Sequence, residues 1–429
     1  MFTSDFKQEP YWWETASPPR HDSSALPKEV DVAIIGAGYT GLHAAIQTAR
    51  AGLSTVVVDA ESTGWGGSTR NGGQISTSIK LSYATLARRY GDALATDILK
   101  EGQASLDYVA RFVRDERLDC GFEVAGRFHG AHTRRHFGVL SRACETGNPA
   151  FETGAYMVPR ESQHEELGTD AYYGGMVLPR HASVDVGRYF NCLVTVAEQA
   201  GAQIVSQCPV TGLERLQRGG FDLATPKGRL RAGRVILATN GYTGPLTPWH
   251  RRRVIPIGSY VITTEEIQPD LMDRVMPTNR ILSDTRKLVY YYRPSPDRTR
   301  ILFGGRVSLG ETDPCRSGPK LLAELTRLFP ELKGIRISHS WAGLVAFTFD
   351  TLMHTGHQKG LYYAMGYCGS GVGMASYLGM RIGQQAAGLA EQAGAFDRIP
   401  FQTRPFYTGS PWFLAPSVLA YRIRDALGV

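Results

Sequence analysis

The stretch Val30-Asp31-Val32-Ala33-Ile34-Ile35-Gly36-Ala37-Gly38-Tyr39-Thr40-Gly41-Leu42 decides the fold. Residues 30–35 are a short apolar run, as a strand buried on both faces of a parallel sheet must be. A glycine loop follows, then a helical pattern from Leu42 to Ala51, with Gly52 suited to its C-terminus. Leu53 to Val58 reads as a second buried strand, ended by Asp59. Strand, loop, helix and strand within roughly 30 residues make one βαβ unit. In such a unit Gly36 permits the tight turn, Gly38 lets phosphates approach the backbone, and Gly41 lets helix and strand pack closely. The amides and dipole of the helix N-terminus, at Ala37, Tyr39 and Thr40, favour a pyrophosphate. Asp59, followed by Ala60 and Glu61, stands where an acid holds ribose hydroxyls, which selects NAD or FAD over NADP.

Further along, the pattern alternates between types. A glycine-rich stretch spans Gly64 to Gly73, and helical patterns run from Tyr83 to Phe112 and from Val184 to Gln199. Ala202 to Ser206 and Arg234 to Thr239 read as strands, the second closed by Asn240-Gly241. Val254 to Thr264 and Leu288 to Arg306 alternate polar and apolar residues, which predicts an antiparallel sheet. A last helix is expected from Met374 to Gln392, then an irregular tail marked by Pro400, Pro405, Pro411 and Pro416. Nucleotide-domain features therefore recur near the start, the middle and the end. They predict a discontinuous nucleotide domain over 29–80, 165–247 and 338–395, with a substrate domain over 81–164 and 248–337. Residues 1–28 are expected to be an arm laid over the surface, and 396–429 a tail.

Composition excludes several classes. The 429 residues carry a net charge of +7, but the basic residues are scattered, and no nucleic-acid module is recognisable. The densest run, Arg251-Arg252-Arg253, reads as a solvated face or as a rim that draws in an anionic substrate. No apolar run is long enough to span a membrane. Asp5, Glu9 and Glu14 argue against a secretory signal, so the expected location is the cytoplasm. Cys120, Cys144, Cys192, Cys208, Cys315 and Cys368 are widely spaced and read as reduced thiols. His132 and His136 have zinc-compatible spacing, with His129 nearby, but Arg134 and Arg135 lie between them. No metal site is expected.

Three further segments choose the cofactor: Gly64-Trp65-Gly66-Gly67-Ser68-Thr69-Arg70-Asn71-Gly72-Gly73-Gln74, Arg234 to Tyr242, and Gly366-Tyr367-Cys368-Gly369-Ser370-Gly371-Val372-Gly373. With the opening stretch they resemble the D-amino-acid oxidase and glycine/sarcosine oxidase superfamily of flavoproteins, over Asp31 to about Gln392. Within it the chain looks most like the gamma-glutamylputrescine oxidoreductase branch. That likeness rests on PYWWE (10–14), STRNGGQ (68–74), IPIGSYVITTE (255–265), ILSDTRKLVYYYRP (281–294), ILFGGR (301–306) and WAGLVAFTFDTLMHTG (341–356).

The resemblance implies an α/β fold: a Rossmann-type, glutathione-reductase-like FAD domain joined to an α+β substrate domain on a mainly antiparallel sheet. It implies that Gly67 to Gln74 pass beside the flavin ring, with Arg70 by the ring or the substrate. Val210 matches the residue whose backbone meets adenine, and Ala238-Thr239-Asn240-Gly241 the strand end under the cofactor. Gly366 and Gly369 to Gly373 run into a helix whose N-terminus would stabilise reduced flavin. The position of covalent attachment in some relatives falls near Gly343, so noncovalent FAD is expected; Cys368 lies close to the ring edge.

Hydride transfer from an amine to flavin needs orientation more than acid–base groups, and no general base is assigned. Candidates for the substrate wall are Arg70, Tyr260, Tyr290, Tyr292, Arg293, Arg306 and Phe347, aromatics enclosing an aliphatic amine and arginine pairing a carboxylate. Lys287 is the lysine nearest in sequence to those that promote oxygen reaction in relatives. The expected substrate is a secondary amine or amino acid, including a gamma-glutamylated polyamine. A cyclic or N-methyl amino acid (pipecolate, proline, sarcosine) and a non-catalytic or tRNA-modifying flavoprotein stay open. So do the electron acceptor, oxygen or another, and the oligomeric state.

Overall fold

The structure is a computed structural model that describes residues 1–429 except 22, 23, 392, 393 and 429. Its parallel sheet centres on Glu29–Ile35. Thr55–Val58 lies on one side of that strand and Gly228–Leu237 on the other, with Gln203–Val205 and Leu361–Met365 flanking them, every pair parallel. Val32, Ile34, Val56 and Val57 are fully buried, because helices or other strands cover both faces. Tyr39–Arg50 follows the first strand, and Gly371–Ala387 packs along it. The contact is so close that a Cβ at Gly379 would lie 2.5 Å from the Thr40 carbonyl oxygen.

A second sheet has nine strands. Their order is Phe2–Lys7, Ile337–Phe347, Ile255–Thr264, Ile301–Gly305, Tyr291–Pro294, Ile281–Asp284, Arg127–Gly130, Gly175–Leu178 and Tyr156–Val158. Most pairs are antiparallel, and register fixes the faces. Tyr260 sits opposite Gly305 and Ala342, while Tyr291 sits opposite Gly304 and Ser283. One face packs on the helix Pro314–Leu328 through Phe128, Val177, Tyr260, Ile262, Leu282, Tyr292 and Phe303. Val261, Leu302 and Trp341 belong to the other face and pack with Tyr11, Trp12 and Val186, with Tyr291 against them.

Four sequence expectations change. The N-terminal arm is built in: Phe2–Lys7 pairs with Ile337–Phe347, and Trp12 is fully buried. Gly175–Leu178 and Ile337–Phe347 sit in the nine-stranded sheet, although the expected boundaries put 165–247 and 338–395 with the nucleotide domain. The helix expected from Met374 is Gly371–Ala387; its expected end, Gln392, lies outside the described residues. The tail contains a helix, Leu414–Leu427, because Pro416 falls in its first turn, where a missing N–H costs nothing.

Candidate active site

The segments 36–41, 59–61, 238–241 and 366–373 each follow the C-terminal end of a strand of the parallel sheet. That is where open α/β sheets bind ligands. Gly36 has φ of +109°, and a Cβ there would lie 2.8 Å from the Ala238 carbonyl oxygen, so the turn requires glycine. A Cβ at Gly41 would lie 1.9 Å from the Gly36 carbonyl oxygen, which gives this glycine its packing role. Asp59 ties two loops: its carboxylate accepts from the amides of Ala37 (2.7 Å) and Glu61 (3.0 Å). Burial pushes its pKa up against those bonds. The amides of Gln207 and Cys208 donate to the carbonyls of Glu61 and Asp59, which brings Val210 beside the same loop. Ala60 completes that turn.

The 67–74 loop is fixed by its own bonds and by aromatic residues. Ser68 Oγ accepts from the Tyr39 amide at 2.9 Å, joining this loop to the glycine loop. Asn71 Nδ2 donates to the Ser68 carbonyl, and Asn71 Oδ1 accepts from the Gly73 amide. Two indoles clamp the loop: Trp12 Nε1 donates to Asn71 O (2.8 Å) and Trp341 Nε1 to Arg70 O (2.9 Å). The Arg70 guanidinium lies between the rings of Trp13 and Trp65, 5.3 and 5.2 Å from their centroids, and donates to Trp65 O. Burial lowers its pKa. The third segment adjoins the second, since Asn240 Oδ1 accepts from the Gly366 amide; Ser370 Oγ donates to Ser78 O, just past the 67–74 loop.

A Cβ on Gly369 or Gly371 would meet nothing within 4 Å, so the turn before Gly371–Ala387 opens onto free space. Other glycines and side chains of the expected set serve the protein itself. Gly366 and Gly373 pack against Thr348 and Ile75, Gly73 against Val184, and Gly241 against Leu344. Thr40 bonds Tyr367 within the core, Thr239 bonds Thr243, and Thr69 and Val372 are buried. Gly67 lies against Tyr242 and Leu344, and Gly72 against Tyr291. Ser370 is the residue that meets Ser78.

The substrate candidates divide. Arg70 and Phe347 lie at the cleft. Tyr260 and Tyr292 point to the opposite face, which corrects their expected role. The Tyr292 hydroxyl donates to Tyr172, and that of Tyr260 donates to Glu311 and accepts from the Thr312 amide. Burial pushes the Tyr260 phenol up to about 12. Tyr290 packs against Phe303 at a tilt on that same far side. Arg293 is spent on the carbonyls of Gly73, Val184 and Pro294, and Arg306 on Gly258 O and Glu311. Lys287 lies by the C-terminal helix, its amide bonded to Asp425.

The cleft instead receives Tyr291, whose hydroxyl pairs with Ser259 Oγ at 2.9 Å and whose ring lies against Gly72. It also receives Lys80, 5.2 Å from the centre of the Phe347 ring, and Gln74, which bonds Tyr292 O. Arg127, His129 and His181 complete this side, with His129 Nδ1 2.8 Å from Ser283 Oγ. The alternation of Arg127 and His129 on one strand was a signal in the sequence. His136 Nδ1 pairs with Thr285, and no group of three metal-binding side chains occurs among the described residues.

Comparison with known proteins adds the following. Residues 31–385 match the family described as DAO: FAD dependent oxidoreductase. The chain is 29% identical to gamma-glutamylputrescine oxidoreductase of Escherichia coli (strain K12), over 93% of both chains. It is 28% identical to the probable oxidoreductase OrdL of Rhizobium meliloti (strain 1021), over 96% of this chain and 97% of that one. Its fold is similar to glycine oxidase from Geobacillus kaustophilus, with a TM-score of 0.71, 20% identity, and coverage of 88% of this chain and 99% of that one. It is also similar to L-proline dehydrogenase from P. horikoshii, with a TM-score of 0.69, 17% identity, and coverage of 91% and 99%.

Proposed function

Because this chain belongs to the DAO family of FAD-dependent oxidoreductases, we propose that it oxidises a C–N bond of a secondary amine or amino acid, with a gamma-glutamylated polyamine as the leading substrate. The observation that carries this reading is the convergence of the 36–41, 59–61, 67–74 and 366–373 segments on one cleft, faced by one side of the nine-stranded sheet. FAD supplies, when bound, the acceptor for the hydride that leaves the carbon bearing nitrogen.

The protein's own groups hold and orient. Gly36 to Gly41 and the N-terminus of Tyr39–Arg50 would hold the pyrophosphate, and Asp59 would offer its remaining lone pairs to ribose hydroxyls. Val210 would meet the adenine, and Ala238 to Gly241 would support the cofactor from the strand end. The 67–74 loop would run beside the ring. The N-terminus of Gly371–Ala387 would favour negative charge on the reduced group through its helix dipole. Tyr291, Phe347 and the Arg70 clamp shield the reacting carbon from water. The imine then hydrolyses in solvent without a dedicated base.

Attachment is noncovalent in this reading. Gly343 faces Arg70 and offers no thiol. Cys368 is buried, its Sγ bonded to Gly366 O, and burial pushes its pKa up to about 11, which suppresses the nucleophilic thiolate. Denaturing the purified yellow protein should release all flavin into solution; colour retained on the chain would reject noncovalent binding. A cyclic or N-methyl amino acid is the second reading, motivated by the fold shared with L-proline dehydrogenase. No described helix is long and apolar enough to cross a membrane.

A further inference from the structure

A helix on a folded protein normally turns its apolar stripe inward. Leu414–Leu427 turns one outward. Val418 is buried, and two of the helix's anchors are polar: the Arg422 guanidinium donates to Val307 O, and the Asp425 carboxylate accepts from the amides of Lys287 and Leu288. Leu419, Ile423 and Leu427, spaced four apart, share the outer side and are 49%, 53% and 70% exposed. Before the helix, Trp412 and Phe406 are 72% and 92% exposed. Phe406 also sits at φ of +62°, in the left-handed region that a bulky side chain avoids. A strained turn that holds an aromatic ring in solvent points to something for that ring to enter.

Cations border this apolar ridge. From 399 to 429 the sequence holds Arg404, Arg422 and Arg424 and a single acid, Asp425, which is spent on backbone amides. At one end Arg404 is exposed, 5.4 Å from the centre of the Phe349 ring, and the Thr403 hydroxyl donates to the carbonyl of the exposed Arg252. At the other end Lys287 and Arg135 are exposed. After burial, these two lower the His136 pKa while Asp425 raises it, so all of them meet there. Glu311, near Trp412, is held by Arg306 and the Tyr260 hydroxyl.

We propose that this ridge docks the protein on a lipid bilayer that carries anionic headgroups. The leucines, Ile423, Trp412 and Phe406 enter the boundary between headgroups and acyl chains, and the bordering cations meet lipid phosphates. Charge and shape choose this occupant. A second copy of the chain, paired about a two-fold axis, would bring the same cations face to face. A projecting ring and ridge suit a surface that yields. Trp412 and Leu414 also line, with Pro256, Leu309 and Leu344, an apolar cavity of about 340 Å³. Leu344 lies against Gly67 and Gly241, so this end of the ridge is next to the cleft. The surface is independent of which amine the cleft oxidises.

The test floats the FAD-loaded protein with vesicles of phosphatidylcholine, alone or with about one-third phosphatidylglycerol. Wild type should partition at least about tenfold better into the anionic vesicles, and about 1 M salt should remove most of that advantage. Ile423→Gln with Leu427→Gln, at two exposed positions, should lower partitioning at least about tenfold, with Tm and FAD content as in wild type. Phe406→Ser, at a loop tip, serves if the double variant does not fold. Arg424→Gln should cost about fivefold on anionic vesicles alone. The proposal is overturned if wild type floats with neither vesicle, if it partitions equally into both, or if the apolar variants float as well as wild type. A wild-type dimer that the double variant makes monomeric, with no vesicle binding, assigns the ridge to a second copy and overturns it as well.

Discussion

On the strand Tyr291–Pro294, Tyr291 and Tyr292 are neighbours that look in opposite directions. Tyr292 enters the core over Pro314–Leu328, and its hydroxyl joins Tyr172 and, through it, Asp284. Tyr291 turns to the cleft and leans on Gly72. The same contrast holds across the whole sheet. The helix-covered face pairs its charges: Arg286 has Asp284, and the Tyr260 hydroxyl has Glu311. The cleft face leaves Arg127 Nε and His181 Nδ1 without partners, and Arg306 Nε, beside Glu311 on the other side, is unpaired as well. One side of the sheet packs as a core on Pro314–Leu328, and the other faces the cleft. A buried polar atom left unsatisfied is costly, so its location is informative.

The contrast can be broken first at the tyrosine pair. Tyr292→Ala removes a fully buried ring and should cost about 3–5 kcal/mol of stability in denaturant unfolding. Tyr291→Phe loses one hydroxyl bond, costs about 1 kcal/mol or less, and should lower kcat/KM instead. If Tyr291→Phe is the more destabilising of the two, the assignment of faces is wrong. Arg293→Met strips hydrogen bonds from the carbonyls of Gly73 and Val184 and should cost ~1–3 kcal/mol. Because Gly73 belongs to the loop beside the ring, FAD should also dissociate faster, which flavin fluorescence on dilution would follow. Tyr260→Phe should cost about 1 kcal/mol and leave kcat unchanged, since its hydroxyl serves Glu311 and Thr312 on the far face.

The smallest expected effect is on pH dependence. Burial holds the His129 pKa down to about 3, against 6.5 for the free side chain. The folded protein therefore keeps His129 neutral while the unfolded chain takes up a proton. The stability that His129 contributes is present above pH 6.5 and is lost as pH falls from there towards 3. Water in the open cleft discounts the size of this effect. His129→Gln should flatten the fall of Tm between about pH 6.5 and pH 4; an unaltered slope would show that His129 is not held neutral.

The parallel half of the fold was legible because buried parallel strands are continuous apolar runs. Residues 30–35 led to Glu29–Ile35, and Leu53 to Val58 to Thr55–Val58. The antiparallel half was legible as alternation but not in phase. Tyr290, Tyr291 and Tyr292 are chemically identical, and only pairing with Ser283 and Gly304 tells which one faces the cleft. Arg293 and Arg306 looked free in sequence because their partners, backbone carbonyls and Glu311, are supplied by the fold. Arg127 and His129, two apart, mark one polar face, but their strand is only four residues long. The burial of Trp12 is not legible in sequence because the residues packed around it, Val186, Val261, Leu302 and Trp341, come from distant elements.

The most direct test of the whole account is anaerobic mixing of the FAD-loaded protein with a panel of amines. The panel includes sarcosine, proline, pipecolate, a gamma-glutamylated diamine and the bare diamine, and the visible flavin absorbance is followed. The account predicts that a secondary amine or amino acid of the panel bleaches the bound flavin. Flavin that stays oxidised with every amine would contradict amine oxidation as the function of this cleft.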